Sequence, residues 1–360
     1  MKKIKVLKGK SSYDAIAAPF EHVFREITRK KLFENILYVI DENVFKKHGA
    51  RIIKLTGTAR NGRDIFIMPS GEKYKSDEQY FNILSRLSDN NYGRDSLIVA
   101  IGGGVTGDIA GFAASTYMRG IQLVHVPTTL LAMVDSSIGG KTGINFNKRK
   151  NIVGSFYQPE FVLIDFSFLN TLPEKEIMSG AGEILKYAYL ADKPFYSLVS
   201  DTFGDLIKLN GDALEKVIPV CISIKANIVT NDEKETGLRK ILNLGHTFAH
   251  AYESYFNFKI KHGTAVADGI ISSLYVSYLK GIINKTALDY FLKLPLKLNL
   301  SLPGKVDFEK IINLMYSDKK NREGRIMLVL VKDIGEILVD AEANTEEIEY
   351  ALIKTFELIK

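Results

Sequence analysis

Short apolar runs alternate with longer amphipathic stretches along the first part of the chain. The apolar runs are Ile36–Ile40, Ile65–Met68, Leu97–Ile101 and Ile121–Val126. Runs of this length are typical of buried strands, whereas the stretches between them repeat every 3.6 residues, as helices do. Strands that alternate with helices form parallel sheets covered on both faces. We therefore predict a Rossmann-like α/β domain over residues 1–168.

Beyond residue 168 the apolar spacing becomes mainly helical. Ile177, Ala181, Ile184 and Ala188 follow one helical face, and similar patterns continue downstream. The exception is a predicted hairpin, Arg325–Val331 with Glu336–Val339. A last predicted helix, Thr345–Ile359, follows this hairpin. The sequence thus predicts a mainly α-helical C-terminal domain over residues 169–360.

Three consecutive glycines, Gly102–Gly104, follow the third apolar run and precede a helical pattern. A strand, a glycine turn and a helix start can present backbone N–H groups and a positive helix terminus to a phosphate. The spacing is not Gly-x-Gly-x-x-Gly, and such a turn can also be only a tight connection. Both interpretations stay open from the residues alone.

The fourth apolar run also ends in polar residues. Thr128 and Thr129 follow it directly, and Asp135 and Lys141 come a few residues later. In open α/β sheets, ligands bind beyond the carboxyl ends of the strands. Two neighbouring strand ends with this chemistry favour a binding site over an ordinary loop.

Histidines cluster in the C-terminal part. His246, His250 and Glu253 are spaced i, i+4 and i+7, which places them along one helical face, and His262 follows. Histidine pairs at i, i+4 are a metal-ligand spacing, although a stripe of ordinary histidines has the same pattern. Glu183 and Lys186, three residues apart, should face the same way on an earlier helix.

Composition and net charge argue against several classes of protein. The chain has 360 residues and 46% hydrophobic positions, which suits a globular protein of two domains. Its net charge is +6 from 48 basic and 42 acidic residues, but the lysines are scattered and Trp is absent, so we expect no nucleic-acid partner. No apolar run approaches the roughly 18–20 residues of a membrane span. One cysteine, Cys221, suits the cytoplasm, where we place the protein.

Three long segments carry a family resemblance. GGGVTGDIAGFAASTYMRG, VPTTLLAMVDSSIGGKTGIN and LNLGHTFAH resemble the signatures of the 3-dehydroquinate synthase family. The resemblance implies a homodimeric lyase of the shikimate pathway that uses NAD and Zn²⁺ (or Co²⁺). Its substrate would be 3-deoxy-D-arabino-heptulosonate 7-phosphate, a phosphorylated sugar acid. The implied reaction comprises oxidation by NAD, β-elimination of phosphate, reduction, ring opening and aldol closure to 3-dehydroquinate.

The resemblance also implies roles for individual residues. The implied metal ligands are Glu183, His246 and His262. The implied NAD contacts are Asp41, Asn43, Glu72, Lys75, Gly103, Gly104, Val105, Asp108, Thr128, Thr129, Asp135, Lys150, Phe168 and Thr171. The implied substrate-binding residues are Arg119, Lys141, Asn151, Lys225, Arg239, Asn243, His250 and Lys320 (or Lys319), and the implied catalytic residues are Asp135, Lys141, Lys186, Asn243 and His250.

Two departures and three rival functions qualify this interpretation. Thr264 replaces a glutamate common in the family, and Arg149 replaces a glycine, but neither position is a ligand. A cyclase whose substrate lacks a carboxylate would leave Lys225 and Arg239 without a role. A polyol dehydrogenase that releases NADH would leave the implied phosphate-binding residues without one. A catalytically inactive binding protein is disfavoured because the implied site is complete.

Overall fold

The chain divides into two compact units. The computed structural model describes residues 2–7, 12–30, 35–56, 65–147, 149–298, 306–316 and 325–359. The first unit comprises Met1–Leu172 together with Lys225–Lys234, and the second comprises Pro173–Ile224 and Glu235–Lys360. A helical segment from the second half of the sequence therefore clusters with the N-terminal unit, which a single boundary near residue 168 does not anticipate.

A mostly parallel sheet forms the first unit. Its strands, together with a separate hairpin, are β1 (Lys2–Val6), β2 (Tyr13–Ala17), β3 (Ile36–Asp41), β4 (Ile65–Met68), β5 (Leu97–Gly102), β6 (Gln122–Pro127), β7 (Lys141–Phe146), β8 (Arg149–Phe156) and β9 (Phe161–Ile164). Within the described ranges, seven strands pair in the order β1-β2-β9-β6-β5-β3-β4. All neighbours are parallel except β1 and β2. The predicted α/β class is confirmed.

Helices cover this sheet as the apolar pattern indicates. They are α1 (His22–Lys30), α2 (Glu42–Thr56), α3 (Asp77–Asp89) and α4 (Gly104–Thr116). Every residue of β5 is buried, which is expected of a central strand with both faces covered. Ser76 caps α3, because its side chain accepts a hydrogen bond from the backbone N–H of Gln79.

The hairpin β7–β8 was not predicted. It pairs antiparallel, with Lys141 opposite Phe156, and stands apart from the main sheet. Residues 151–154 of β8 are exposed in succession, so β8 lacks the alternation of buried and exposed positions that identifies a strand in a sequence.

The second unit is mainly helical, as predicted. Its helices are α5 (Glu174–Leu190), α6 (Lys193–Ile207), α7 (Gly211–Asn231, whose end belongs to the first unit), α8 (His246–Tyr255), α9 (His262–Leu279), α10 (Lys285–Leu292), α11 (Phe308–Tyr316) and α12 (Thr345–Leu358). The predicted hairpin is present as β10 (Ile326–Asp333) and β11 (Glu336–Ala343). Among the helices that the structure describes, none is long and apolar enough to cross a membrane.

Helix α9 is the centre of the second unit, where it packs against α5, α8, α12 and β10. Asp268 lies in this helix and has no exposed surface. Neither of its carboxylate oxygens has a hydrogen-bond partner in the described part of the chain. Because burial disfavours the charged form, the pKa of Asp268 is raised well above its usual range. The folded protein therefore holds this side chain as a neutral acid.

We expect Asp268 to reduce the free energy of unfolding as the pH rises above about 4. The unfolded chain then loses a proton that the folded chain keeps, which costs up to about 1.4 kcal/mol per pH unit until the folded pKa is reached. The D268N variant lacks this cost, so its stability relative to the parent should grow as the pH rises from 5 to 8. Urea unfolding of the metal-free proteins at both pH values measures the difference.

Asp205, an exposed aspartate of α6, supplies the control. The D205N variant makes the same substitution at an exposed position, and its change in stability between the two pH values is the baseline for the comparison. A change for D268N no larger than this baseline would contradict the neutral-acid assignment.

Candidate functional site

Two glycines allow α5 and α9 to cross at backbone contact. A Cβ atom on Gly182 would lie 1.9 Å from the carbonyl oxygen of Gly263, and one on Gly263 would lie 1.7 Å from that of Ser179. Such distances are impossible for real side chains, so the crossing requires glycine at both positions. The hydroxyl of Ser179 also accepts a hydrogen bond from the backbone N–H of Gly263, at 3.1 Å. Glu183 and His262 directly follow and precede these glycines and are therefore brought together.

Glu183, His246 and His262 form a compact group of potential metal ligands. One ligand atom of each lies within 4.8 Å of the others. The Oε1 atom of Glu183 lies 3.2 Å from Nε2 of His262 and 3.7 Å from Nε2 of His246. A carboxylate and two imidazoles are a donor set that suits Zn²⁺ or Co²⁺ and leaves a position for substrate. The structure thus brings together the three residues predicted as ligands.

The surroundings of the group fit a cation. The Nδ1 atom of His246 lies 3.1 Å from the carbonyl oxygen of Leu244, and that of His262 lies 3.4 Å from a carboxylate oxygen of Glu253. Burial alone would lower the pKa of His262, but its contacts with Glu183 and Glu253 raise that pKa to about 10. Two carboxylates therefore favour a positive charge between them, which either a proton or a metal ion supplies.

Four further predicted residues lie in the described part of the second unit, and two of them, Lys186 and His250, lie beside the group. Lys186 is buried and its Nζ atom lies 2.6 Å from Oε2 of Glu183, so the two side chains share a face as expected. The ring of His250 lies 5.8 Å from that of His246 between centroids. Asn243 donates a hydrogen bond to Glu235 at 2.7 Å, and Arg239 is 1% exposed.

In the first unit, many of the residues predicted to contact NAD follow the carboxyl ends of parallel strands. Asp41 ends β3, Gly102 ends β5, and Thr128 comes directly after β6. The Oδ1 atom of Asp41 accepts hydrogen bonds from the backbone N–H of Asn43 at 2.9 Å and from Ser70 Oγ at 2.7 Å. This edge of the sheet is where open α/β domains bind ligands.

The glycine turn packs closely on neighbouring hydroxyl residues. A Cβ atom on Gly103 would lie 3.0 Å from the side chain of Thr129, and one on Gly104 would lie 3.0 Å from Oγ of Ser136. The backbone N–H of Thr128 donates to the carbonyl of Gly102 at 2.9 Å. The close packing disfavours a larger residue at these two positions, and it is compatible with both earlier interpretations of the turn.

Lys75 links two sets of predicted residues. Its Nζ atom donates hydrogen bonds at 2.5 Å to Asp108 and at 2.5 Å to Asn151, and it is 5% exposed. Burial raises the pKa of Asp108, an effect that the charge of Lys75 opposes. Asn145, which sequence reasoning missed, connects Glu72 and Asn151 through hydrogen bonds of 2.8 Å and 3.0 Å. Asn145 is the last residue of VPTTLLAMVDSSIGGKTGIN, one of the segments that resemble the family, and this position could have marked it as a candidate site residue.

Lys225 and Asp135 are also paired in the first unit. The Nζ atom of Lys225 lies 2.9 Å from the carboxylate of Asp135 and donates to its backbone carbonyl at 2.7 Å. The structure therefore unites a predicted substrate-binding residue with a predicted catalytic one.

Other predicted residues have side chains that pack in the interior or lie at or near the surface. The ring of Phe168 is 2% exposed and packs against Phe20 and His48, and Thr171 contacts His48 at 2.7 Å. Val105 packs against the core of the first unit, so it could meet a cofactor mainly through its backbone. Arg119 and Lys141 are exposed, and Lys150 is half-buried. Lys319 and Lys320 lie outside the described residues.

Comparison with solved structures defines the class of protein. A 2-epi-5-epi-valiolone synthase from Streptomyces hygroscopicus subsp. jinggangensis 5008, with NAD+ and Zn2+ bound, is 27% identical with a TM-score of 0.86 over 99% of each chain. A 2-deoxy-scyllo-inosose synthase complexed with carbaglucose-6-phosphate, NAD+ and Co2+ is 26% identical with a TM-score of 0.86, over 98% of this chain and 100% of that chain. The fold and the site together place the chain among the sugar phosphate cyclases.

Sequence comparison identifies the family within this class. Models of the 3-dehydroquinate synthase N-terminal and C-terminal parts match residues 65–179 and 180–321. A 3-dehydroquinate synthase from Legionella pneumophila (strain Corby) is 41% identical over 297 residues, which are 82% of this chain and 80% of the relative. The chain belongs to the 3-dehydroquinate synthase family.

The helix crossing leads to a prediction about metal affinity. In the G263A variant the new Cβ atom would collide with the backbone of Ser179, so α5 and α9 must separate. We expect Zn²⁺ affinity to fall at least about tenfold and stability to fall by roughly 1–3 kcal/mol or more. Chelator competition and thermal unfolding measure these effects.

Gly204 provides a matched control, because a Cβ atom there meets nothing within 4 Å. The G204A variant, a helical replacement in α6, should keep the parental affinity and gain slight stability. Parental Zn²⁺ affinity in G263A would show that the crossing does not position the ligands.

Proposed function

We propose that Glu183, His246 and His262 are the metal ligands of this enzyme. The chain is a lyase that converts 3-deoxy-D-arabino-heptulosonate 7-phosphate to 3-dehydroquinate and phosphate, with NAD and a divalent metal as cofactors. The observation that carries the ligand assignment is the convergence of these three side chains, from three helices, on one point. These three residues would hold the metal, which would supply polarisation of a substrate oxygen, and NAD would supply a reversible acceptor for hydride.

We propose that NAD binds within the N-terminal domain, residues 1–168. Support comes from the polar residues that follow adjacent strand ends, above all Asp41 after β3 and the glycine turn after β5. An acid at a strand end is where an adenosine ribose is typically held, and the N-terminus of α4 suits the diphosphate. Lys75 and Asp108, held together at 2.5 Å, would fix the loops beside it.

Anionic groups of the substrate require cationic side chains. In the first unit, Lys141 and Asn151 are our candidate ligands for the substrate phosphate. Lys225, which Asp135 orients, is our candidate ligand for the substrate carboxylate. In the second unit, Arg239 is the corresponding carboxylate ligand, since its planar guanidinium can bind both oxygens.

Proton transfer is assigned to side chains beside the metal ligands. His250 lies one helical turn after His246, and Lys186 forms an ion pair with Glu183. We propose that His250 and Lys186 move protons of the substrate and that Asn243 helps to orient it. The C-terminal domain, residues 169–360, would therefore carry the metal chemistry.

The decisive measurement uses purified protein, the heptulosonate phosphate and a catalytic amount of NAD. We expect phosphate release without net NADH, loss of activity in EDTA, and recovery with Zn²⁺ or Co²⁺. Accumulation of NADH would instead identify a dehydrogenase, and activity indifferent to chelation would refute metal dependence. The E183Q variant should stay inactive after metal is added back.

We also propose a homodimer formed through β8 and its surroundings. Met118, Phe146, Ile152, Val153 and Phe156 are 47%, 42%, 40%, 37% and 47% exposed. The outer edge of β8 has no partner strand in the described part of the chain, and Arg119 lies next to Met118. An edge strand with apolar side chains favours pairing with a second copy about a two-fold axis. By the family resemblance, Arg119 would then reach the partner's substrate.

Light scattering tests this interface. The parent should have the mass of a dimer, and the double variant I152E/F156E should have that of a monomer. The F81E variant changes an exposed phenylalanine on α3, outside these residues, and should remain dimeric. A monomeric parent would refute the dimer, and a dimeric double variant would refute the surface.

We propose a cytoplasmic location and no nucleic-acid partner. The single cysteine, Cys221, is buried and reduced, as is usual in that compartment.

A further inference from the structure

We propose that Glu253 is a positioning residue for the metal centre, which holds the imidazole of His262 in the orientation that binds the metal. The inference rests on the proposed assignment of Glu183, His246 and His262 as ligands. Glu253 was visible in the sequence as the third member of the stripe with His246 and His250, but neither the resemblance nor the proposed reaction gives it a role.

The geometry connects Glu253 to the far side of the His262 ring. Its Oε2 atom lies 3.4 Å from Nδ1 of His262, while Nε2 of the same ring lies 3.2 Å from Glu183. One ring nitrogen thus faces the ligand group and the other faces Glu253. The carboxylate of Glu253 is about 4% exposed, so water competes little for this contact.

In both imidazoles, the Nδ1 atom faces an oxygen acceptor and the Nε2 atom faces Glu183, but the two acceptors differ. The Nδ1 atom of His246 faces the backbone carbonyl of Leu244 at 3.1 Å, and its Nε2 atom faces Glu183. An acceptor at Nδ1 keeps the proton on that nitrogen and leaves the lone pair of Nε2 for a metal ion. The two outer acceptors therefore select one tautomer in both rings.

The two acceptors differ in charge. Leu244 supplies a neutral carbonyl, which no side-chain substitution removes, whereas Glu253 supplies a buried carboxylate. A second negative charge close to the ligand group strengthens the attraction for a divalent cation. Glu253 should therefore contribute to affinity through both the orientation of His262 and its charge.

Position along the chain explains how this contact forms. Glu253 lies two helical turns after His246 on α8, and His262 begins α9, which packs against α8. Gly245 and Gly269 make close packing possible, since a Cβ atom on Gly269 would lie 2.1 Å from the carbonyl oxygen of Gly245. The same packing that joins the two helices sets Glu253 against His262.

Metal titration of the full chain tests the proposal. We expect the E253A variant to bind Zn²⁺ about 10–100-fold more weakly than the parent in chelator competition, with the E253Q variant weakened less because its amide oxygen still accepts from Nδ1. The visible absorption of the Co²⁺-loaded protein should also change in E253A, since one imidazole loses its fixed orientation. Thermal unfolding of the metal-free variants separates these effects from a general loss of structure.

Two further variants make the outcomes distinct. H262A should lose the metal, and D268N, which alters a buried carboxyl group elsewhere in α9, should keep parental affinity. If H262A binds Zn²⁺ normally, the proposed metal centre is wrong. If H262A loses Zn²⁺ but both Glu253 variants match the parent in affinity and Co²⁺ spectrum, the role of Glu253 is wrong. Should E253A fail to fold, the E253M variant, which is similar in size but offers no oxygen to Nδ1, takes its place: weakened binding supports the role, and parental binding overturns it.

Discussion

Backbone contact between α5 and α9 is the constraint on which the proposed metal centre depends. Glu183 comes from one helix and His262 from the other, and each side chain is adjacent to a glycine of the crossing. A methyl group at either glycine would force the helices apart by more than the tolerance of a coordination sphere. Glycine at positions 182 and 263 therefore allows the side chains of Glu183 and His262 to approach each other.

Elements with strong periodicity were predictable from the sequence, and elements stabilised by tertiary contacts were not. The strands β3 to β6 and the helix α12 appear where apolar runs or helical spacing placed them. The hairpin β7–β8 escaped prediction because β8 is exposed on both faces. The inclusion of residues 225–234 in the first unit depends on contacts such as that of Lys225 with Asp135, which no local pattern encodes.

The candidate site was predictable to a similar degree. Spacing on α8 indicated that His246 and His250 share a face, but it could not show which histidine faces Glu183. The family resemblance supplied that choice, and the geometry of Glu183, His246 and His262 agrees with it. Asn145 lies in a segment that resembles the family, and Glu253 was noted in the stripe with His246 and His250, but neither was given a role because the contacts that suggest one form only in the folded chain.

Charge compensation distinguishes the acids of the proposed metal site from Asp268, another buried acid of the second unit. Buried Glu183 contacts Lys186 and two imidazoles, and buried Glu253 faces His262, so each acid stays close to positive or protonatable groups. Asp268 lies on the same helix as His262, is equally buried, and lacks such a partner in the described residues. An ionised carboxylate persists in a protein interior only where a cation compensates it. The acids beside His262 are therefore suited to remain ionised close to a metal ion, whereas Asp268 is suited to remain neutral.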